Sequence, residues 1–144
     1  MLTLASGESS LVVAPEYGAG VIGWMLGDTP LLRRALPQAL VGDRHAMGCF
    51  PLLPYGNRID QGRFRWCGIE HRLKRNFGDS AHTIHGVGWQ RAWHVAEASA
   101  GSVWLTFDHR GDESWPFAFR ASIQYSLSDV ALTVAIGRLP RPRC

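Results

Sequence analysis

The sequence predicts an antiparallel β-sandwich with little helix, and three observations predict it. Apolar residues recur with period two in most segments, and helical periodicity is weak. The 16 glycines and 8 prolines are too many for a helical bundle and suit a turn-rich β protein. At 144 residues, 46% hydrophobic and 19% charged, the chain fits one domain that buries a core.

The elements follow in order. Ser10 to Ala14 (SLVVA) is a short apolar strand, and Gly18 to Leu26 (GAGVIGWML) reads as a second after a glycine turn. Arg63 to Trp66 and Ile69 to Leu73 form a hairpin across Cys67-Gly68. Trp93 to Ala98 and Ser102 to Asp108 are joined by a turn around Gly101. Phe119, Ala121, Ile123, Tyr125 and Leu127 share one face of a strand, with Arg120, Ser122, Gln124 and Ser126 on the other. After Ser128-Asp129, Val130, Leu132, Val134 and Ile136 alternate again, and the strand is expected to stop at Gly137. Residues 137–144 then form an Arg/Pro tail in which alternation is lost.

Two stretches break the pattern. Gly48 to Arg58 (GCFPLLPYGNR) is an apolar loop whose prolines exclude a central strand. Asn76 to Trp89 (NFGDSAHTIHGVGW) is irregular and holds two histidines. Apolar, aromatic loops on a β scaffold are where function concentrates.

Charge and cysteine usage narrow the function class. The net charge is +3, but Arg138, Arg141 and Arg143 supply it, and the rest of the chain is neutral. A neutral body argues against a nucleic-acid-binding face, which needs clustered positive charge, so no nucleic-acid partner is expected. No apolar run approaches the roughly 18 residues that span a bilayer, so no membrane partner is expected either. The N-terminus lacks a basic region ahead of an apolar stretch, so no signal peptide is read. Cys49, Cys67 and Cys144 have no metal-ligand spacing and read as reduced thiols, two of them partly buried, in a cytoplasmic protein.

Four segments together carry a family resemblance: Thr29 to Arg34 (TPLLRR); Gly48 to Ile59 (GCFPLLPYGNRI) followed by Gly62-Arg63-Phe64; Asn76 with His85 to Trp89 (HGVGW) and Trp93; and Trp115-Pro116-Phe117 leading to Tyr125-Ser126-Leu127. The ordered set resembles the N-terminal portion of the aldose 1-epimerase (galactose mutarotase) family. The resemblance implies a mutarotase-like β-sandwich over residues 1–136, incomplete at its C-terminus. It implies interconversion of the α and β anomers of a free aldose such as galactose or glucose. That reaction removes the proton from the anomeric hydroxyl, protonates the ring oxygen, and recloses the ring on the other carbonyl face. It calls for no cofactor and no metal.

By resemblance, Asn57 and Arg58 match the family's sugar-contacting pair. An amide both donates to and accepts from a hydroxyl, and a guanidinium is a fixed, permanently charged donor. Outside this motif, Arg58 would read as one half of a surface ion pair with Asp60. His85 matches a pocket histidine near the sugar's ring oxygen, with an auxiliary catalytic role. Otherwise it is a loop histidine satisfied by backbone. Trp89 is the platform candidate, although Trp66, Trp89, Trp93 and Trp104 all read first as core. His45, His71, His94 and His109 read as ordinary strand or loop residues. His82 could be taken for a metal partner of His85, but no further ligand completes a site.

The family's acid histidine, base glutamate and sugar-binding aspartate have no matching positions. The chain is therefore expected to be a truncated, inactive member. The alternative is a non-catalytic fragment with residual carbohydrate binding or an interaction role, and unpaired strand edges leave self-association open.

Overall fold

The computed structural model describes residues 1–139. Twelve strands are present among them: β1 (Leu2–Ser6), β2 (Ser9–Ala14), β3 (Gly20–Leu26), β4 (Thr29–Pro30), β5 (Arg58–Ile59), β6 (Arg63–Trp66), β7 (Ile69–Arg72), β8 (Thr83–Ile84), β9 (His94–Ala98), β10 (Ser102–His109), β11 (Phe119–Leu127) and β12 (Leu132–Leu139). The helical pieces among the described residues are short 3-10 turns, including Pro15–Tyr17, Arg44–Ala46 and Gly88–Gln90. No helix among them is long and apolar enough to cross a membrane.

The strands build two four-stranded antiparallel sheets, ordered β1-β2-β3-β4 and β12-β11-β10-β9. Two small pairs, β5-β8 and β6-β7, lie outside them. The sandwich follows from alternation. On β11, Phe119, Ala121, Ile123, Tyr125 and Leu127 are buried, and the residues between them are open to solvent. They meet Val103, Leu105 and Phe107 of β10 and Leu4, Leu11 and Val13 of the first sheet in one core. The Tyr125 hydroxyl donates to the Ala19 carbonyl at 2.8 Å, a buried bond between the sheets. Burial there pushes the Tyr125 phenol well above its ordinary pKa.

Several expectations need correction. β1 is a strand that alternation in the short MLTLAS segment did not announce. β12 continues past Gly137, with Arg138 paired to Ala121 and Leu139 to Arg120, because an outermost strand tolerates residues a central one would not. The remainder of the expected tail, 140–144, lies outside the described residues. Trp66 and Trp104 are each 43% exposed rather than core: Trp104 falls on an outward position of β10, and Trp66 ends β6 in the small β6-β7 pair outside the two main sheets. Cys49 is free and exposed rather than partly buried.

Candidate functional site

The two irregular stretches are brought together by local backbone chemistry. Arg58 pairs with Ile84 and Ile59 with Thr83 in the β5-β8 ladder. That register sets Asn57 opposite His85. The His85 N–H donates to the Asn57 carbonyl at 2.9 Å. The Asn57 N–H donates to the His85 Nδ1 at 3.0 Å. Both residues have left-handed backbones, with φ of 63° and 59°. An asparagine accepts that conformation readily, and a histidine does so only when its surroundings hold it.

What holds His85 is visible on both sides of it. Asn76 donates its amide to the Ile84 carbonyl at 2.7 Å and to the Gly86 carbonyl at 3.1 Å. Its oxygen accepts from the Ile84 N–H at 2.9 Å. One side chain thus acts as a strand partner for the residues flanking His85. Gly86 closes the junction. The Leu53 carbonyl accepts from the Val87 N–H at 2.7 Å and the Gly88 N–H at 3.0 Å. This brings the two backbones so near that a Cβ on Gly86 would stand 2.1 Å from the Leu53 oxygen.

The hydrogen bonds decide the chemistry of His85. Its Nδ1 accepts from a backbone N–H, so the neutral ring carries its proton on Nε2. Burial depresses its pKa, and the nearby His45 and Arg58 depress it further. His85 is therefore neutral at physiological pH and offers an Nε2–H donor. Asn57 and Arg58 are exposed beside it. An amide, a guanidinium and an imidazole thus come from two paired segments, and the Arg58 charge acts on the His85 ring.

The predicted site residues differ in access. Trp89 is only 2% exposed, and its indole N–H donates to the Gly86 carbonyl at 3.1 Å. It lies in edge contact with the His85 ring, at 6.2 Å between centroids, as a support rather than an open platform. The exposed ring in this neighbourhood is Phe77, at 42%. His82 accepts from the Gln61 N–H and contacts Asp60, so it works in the next turn and not with His85. Among the described residues, no group of three or more His, Cys, Asp or Glu side chains could hold a metal ion.

Sequence reasoning missed His45. Its ring lies 4.5 Å from Trp89, 4.6 Å from Phe77, 5.3 Å from Phe50 and 5.8 Å from His85, between centroids. No local pattern marks it, because the four partners come from two separate stretches, 48–58 and 76–89.

Residues 1–137 match the family model for aldose 1-epimerase. An uncharacterised Escherichia coli K12 protein, YphB, is 34% identical over 94% of this chain and 44% of its own length. A crystal structure of an Escherichia coli K12 protein provisionally called an aldose 1-epimerase superposes with a TM-score of 0.84 at 32% identity, covering 97% of this chain and 46% of that one. A galactose mutarotase-like protein from Clostridium acetobutylicum shares the fold, with a TM-score of 0.74 at 22% identity over 95% of this chain and 45% of its own. The chain spans less than half the length of the relatives it matches.

Proposed function

The chain belongs to the aldose 1-epimerase family, and on that premise we propose that Asn57, Arg58 and His85 form the sugar-holding part of an anomer-interconverting site. The carrying observation is the reciprocal bonding of Asn57 and His85, with Arg58 next in the ladder. An amide, a guanidinium and an imidazole whose Nδ1 is held by backbone suit the hydroxyls and ring oxygen of an aldose such as galactose or glucose. His85 serves as a hydrogen-bond donor. A neutral imidazole whose Nδ1 is already an acceptor gives up its Nε2 proton poorly, so it does not act as the general acid.

No carboxylate base bears on His85 among the described residues. The charged groups that bear on it among the described residues are His45 and Arg58, and neither is a carboxylate. Residues 1–139 therefore bind without catalysing, and the chain alone is expected to leave mutarotation at its spontaneous rate. General acid and base catalysis typically contribute roughly 10²–10⁴-fold each, so its absence is easy to see. Polarimetry on freshly dissolved α-D-glucose and α-D-galactose reads this, and acceleration by the purified chain would sink the non-catalytic part. Binding is expected to be weak. NMR titration with galactose should give a millimolar-range Kd, weakened about tenfold by Arg58→Ala, the loss expected for one charge-assisted hydrogen bond. No perturbation of the Asn57 and His85 signals at high sugar would refute the site.

A specific observation also favours an interaction role. Leu132, Val134 and Ile136 of β12 sit in register with the buried Leu127, Tyr125 and Ile123 of β11. Val134 and Ile136 are nevertheless 43% and 54% exposed. Among the described residues nothing covers this apolar row or pairs with the edge beside it, and a second copy of the chain in antiparallel register would set the row against itself. Val134→Lys should weaken self-association by about tenfold in sedimentation velocity. An unmodified chain that stays monomeric at all concentrations would refute the role.

A further inference from the structure

We propose that the outer face of the sheet β12-β11-β10-β9 carries a second binding site, a groove between Trp104 and the Asp108–Arg120 pair that takes a neutral pyranose ring. The groove has a volume of about 550 Å³, and Trp104, Thr106, Asp108, Arg120, Ser122 and Gly137 line it. Small-molecule sites run from roughly 300 to 1,000 Å³. None of these residues belongs to the loops 48–58 and 76–89, so the groove is built independently of Asn57 and His85.

Strand register makes its floor. Thr106 stands opposite Ser122, and Ser122 opposite Gly137. Alternation turns Thr106 and Ser122 away from the core. A row of small residues thus crosses three strands. Two residues along β10 on one side stands Trp104. Two residues along on the other stands Asp108, whose Oδ1 accepts from the Arg120 Nε at 2.6 Å. The rise of a strand sets Trp104 and Asp108 about 13 Å apart along β10. Gly137 keeps the floor bare, since a Cβ there would stand 2.9 Å from the Ser122 Oγ. Glycine inside a strand costs stability and marks places where something else approaches the backbone.

The two walls have contacts to spare. Trp104 is 43% exposed. Among the described residues no other ring packs on it and its indole N–H has no acceptor. Beside it β9 carries a bulge: Trp104 faces Glu97 while Leu105 faces Val95. Bulges re-aim side chains. In the Asp108–Arg120 pair only the Arg120 Nε and one Asp108 oxygen are engaged, which leaves guanidinium N–H groups and a carboxylate oxygen for a ligand. The pair is open to solvent, so it contributes little to stability by itself.

Together these groups select a ring with one apolar face and hydroxyls on its rim. The C–H face of a pyranose packs on an indole, and neighbouring hydroxyls accept from the guanidinium and donate to the carboxylate. The ion pair cancels its own charge and Glu97 lies across from Trp104, so a phosphate-bearing ligand is disfavoured. Recognition uses the ring face and rim, so a glycoside fits as well as a free sugar.

NMR titration of the full chain with methyl β-D-glucopyranoside, whose anomeric centre is blocked, tests this. The Trp104 indole and the Ser122 and Gly137 amides should shift together with one millimolar-range midpoint. Trp104→Ala should weaken that response at Ser122 and Gly137 about tenfold, and Trp104→Phe should weaken it less. Arg120→Ala should also cost about tenfold, and Arg58→Ala should cost nothing. An unchanged urea midpoint shows that each variant is folded. No shift at high glycoside concentration, an unaltered midpoint in folded Trp104→Ala, or shifts with adenosine monophosphate and none with the glycoside would overturn the proposal. Lost galactose response at Asn57 and His85 with the Trp104 response intact would remove the reading of that other site and uphold this one.

Discussion

Gly86→Ala is expected to destabilise the protein by more than about 3 kcal/mol, enough to unfold a marginal domain. Gly86 has φ of 66°, and a Cβ there would meet the Leu53 oxygen at 2.1 Å, its carbon at 2.4 Å and the Pro54 Cδ at 2.5 Å. Two of these atoms are backbone, which cannot rotate away. Relief would require parting the loop that carries Asn57 and Arg58 from the loop that carries His85. Gly78→Ala is the matched control. Gly78 has φ of 46°, but a Cβ there would meet nothing within 4 Å, so only the left-handed conformation is penalised, by about 1 kcal/mol. Urea unfolding of the two variants reads the difference. Equal losses would mean that the close approach of the two loops contributes nothing.

Asn76→Asp is expected to cost about 2–4 kcal/mol at neutral pH, although it changes a single atom. The two amide donations, to Ile84 and Gly86, become a carboxylate facing two carbonyl oxygens. The one acceptance, from the Ile84 N–H, survives. The sign with pH follows. Repulsion raises the folded-state pKa of this new carboxyl above its unfolded value near 4, so the folded state binds the proton more tightly. Stability relative to the parent should therefore recover in part as pH falls through the folded pKa, where a protonated carboxyl can donate one bond again. A penalty independent of pH would show that Asn76 acts by shape alone. In either outcome the His85 signals should move most, since Asn76 grips the residues on both sides of it.

Much of the sandwich is legible in the chain because period-two alternation is a one-dimensional property. The rows Phe119 to Leu127 and Val103 to Phe107 face the core for the reason the pattern gives: successive side chains of a strand point to opposite sides. β1 is not legible, because five residues with two leucines carry too little alternation to separate strand from coil. The end of β12 lies beyond the expected stop at Gly137 because an edge strand tolerates Gly137 and Arg138.

The candidate site is legible in a different way. Asn57, Arg58 and His85 are marked by a family pattern of residues in order, without any local signal of what each one touches. Trp89 is marked by the same pattern, yet its burial and its bond to Gly86 put it beneath the surface it was expected to form. His45 carries no mark, because its four ring partners are spread from Phe50 to Trp89.

The sequence by itself determined an all-β chain, its alternating core rows, the irregular loops 48–58 and 76–89, and membership of a sugar-epimerising family. All of these depend on residue type, spacing and order. Only the tertiary structure decided that Asn57 bonds His85 in both directions, that Asn76 takes a strand's place beside it, and that His45 stands behind it. Those relations depend on the register of a two-residue ladder, β5 with β8, too short to leave a periodic trace. Beside that ladder Leu53 bridges to Gly86 from a remote segment, and such a contact exists only once the chain has closed on itself.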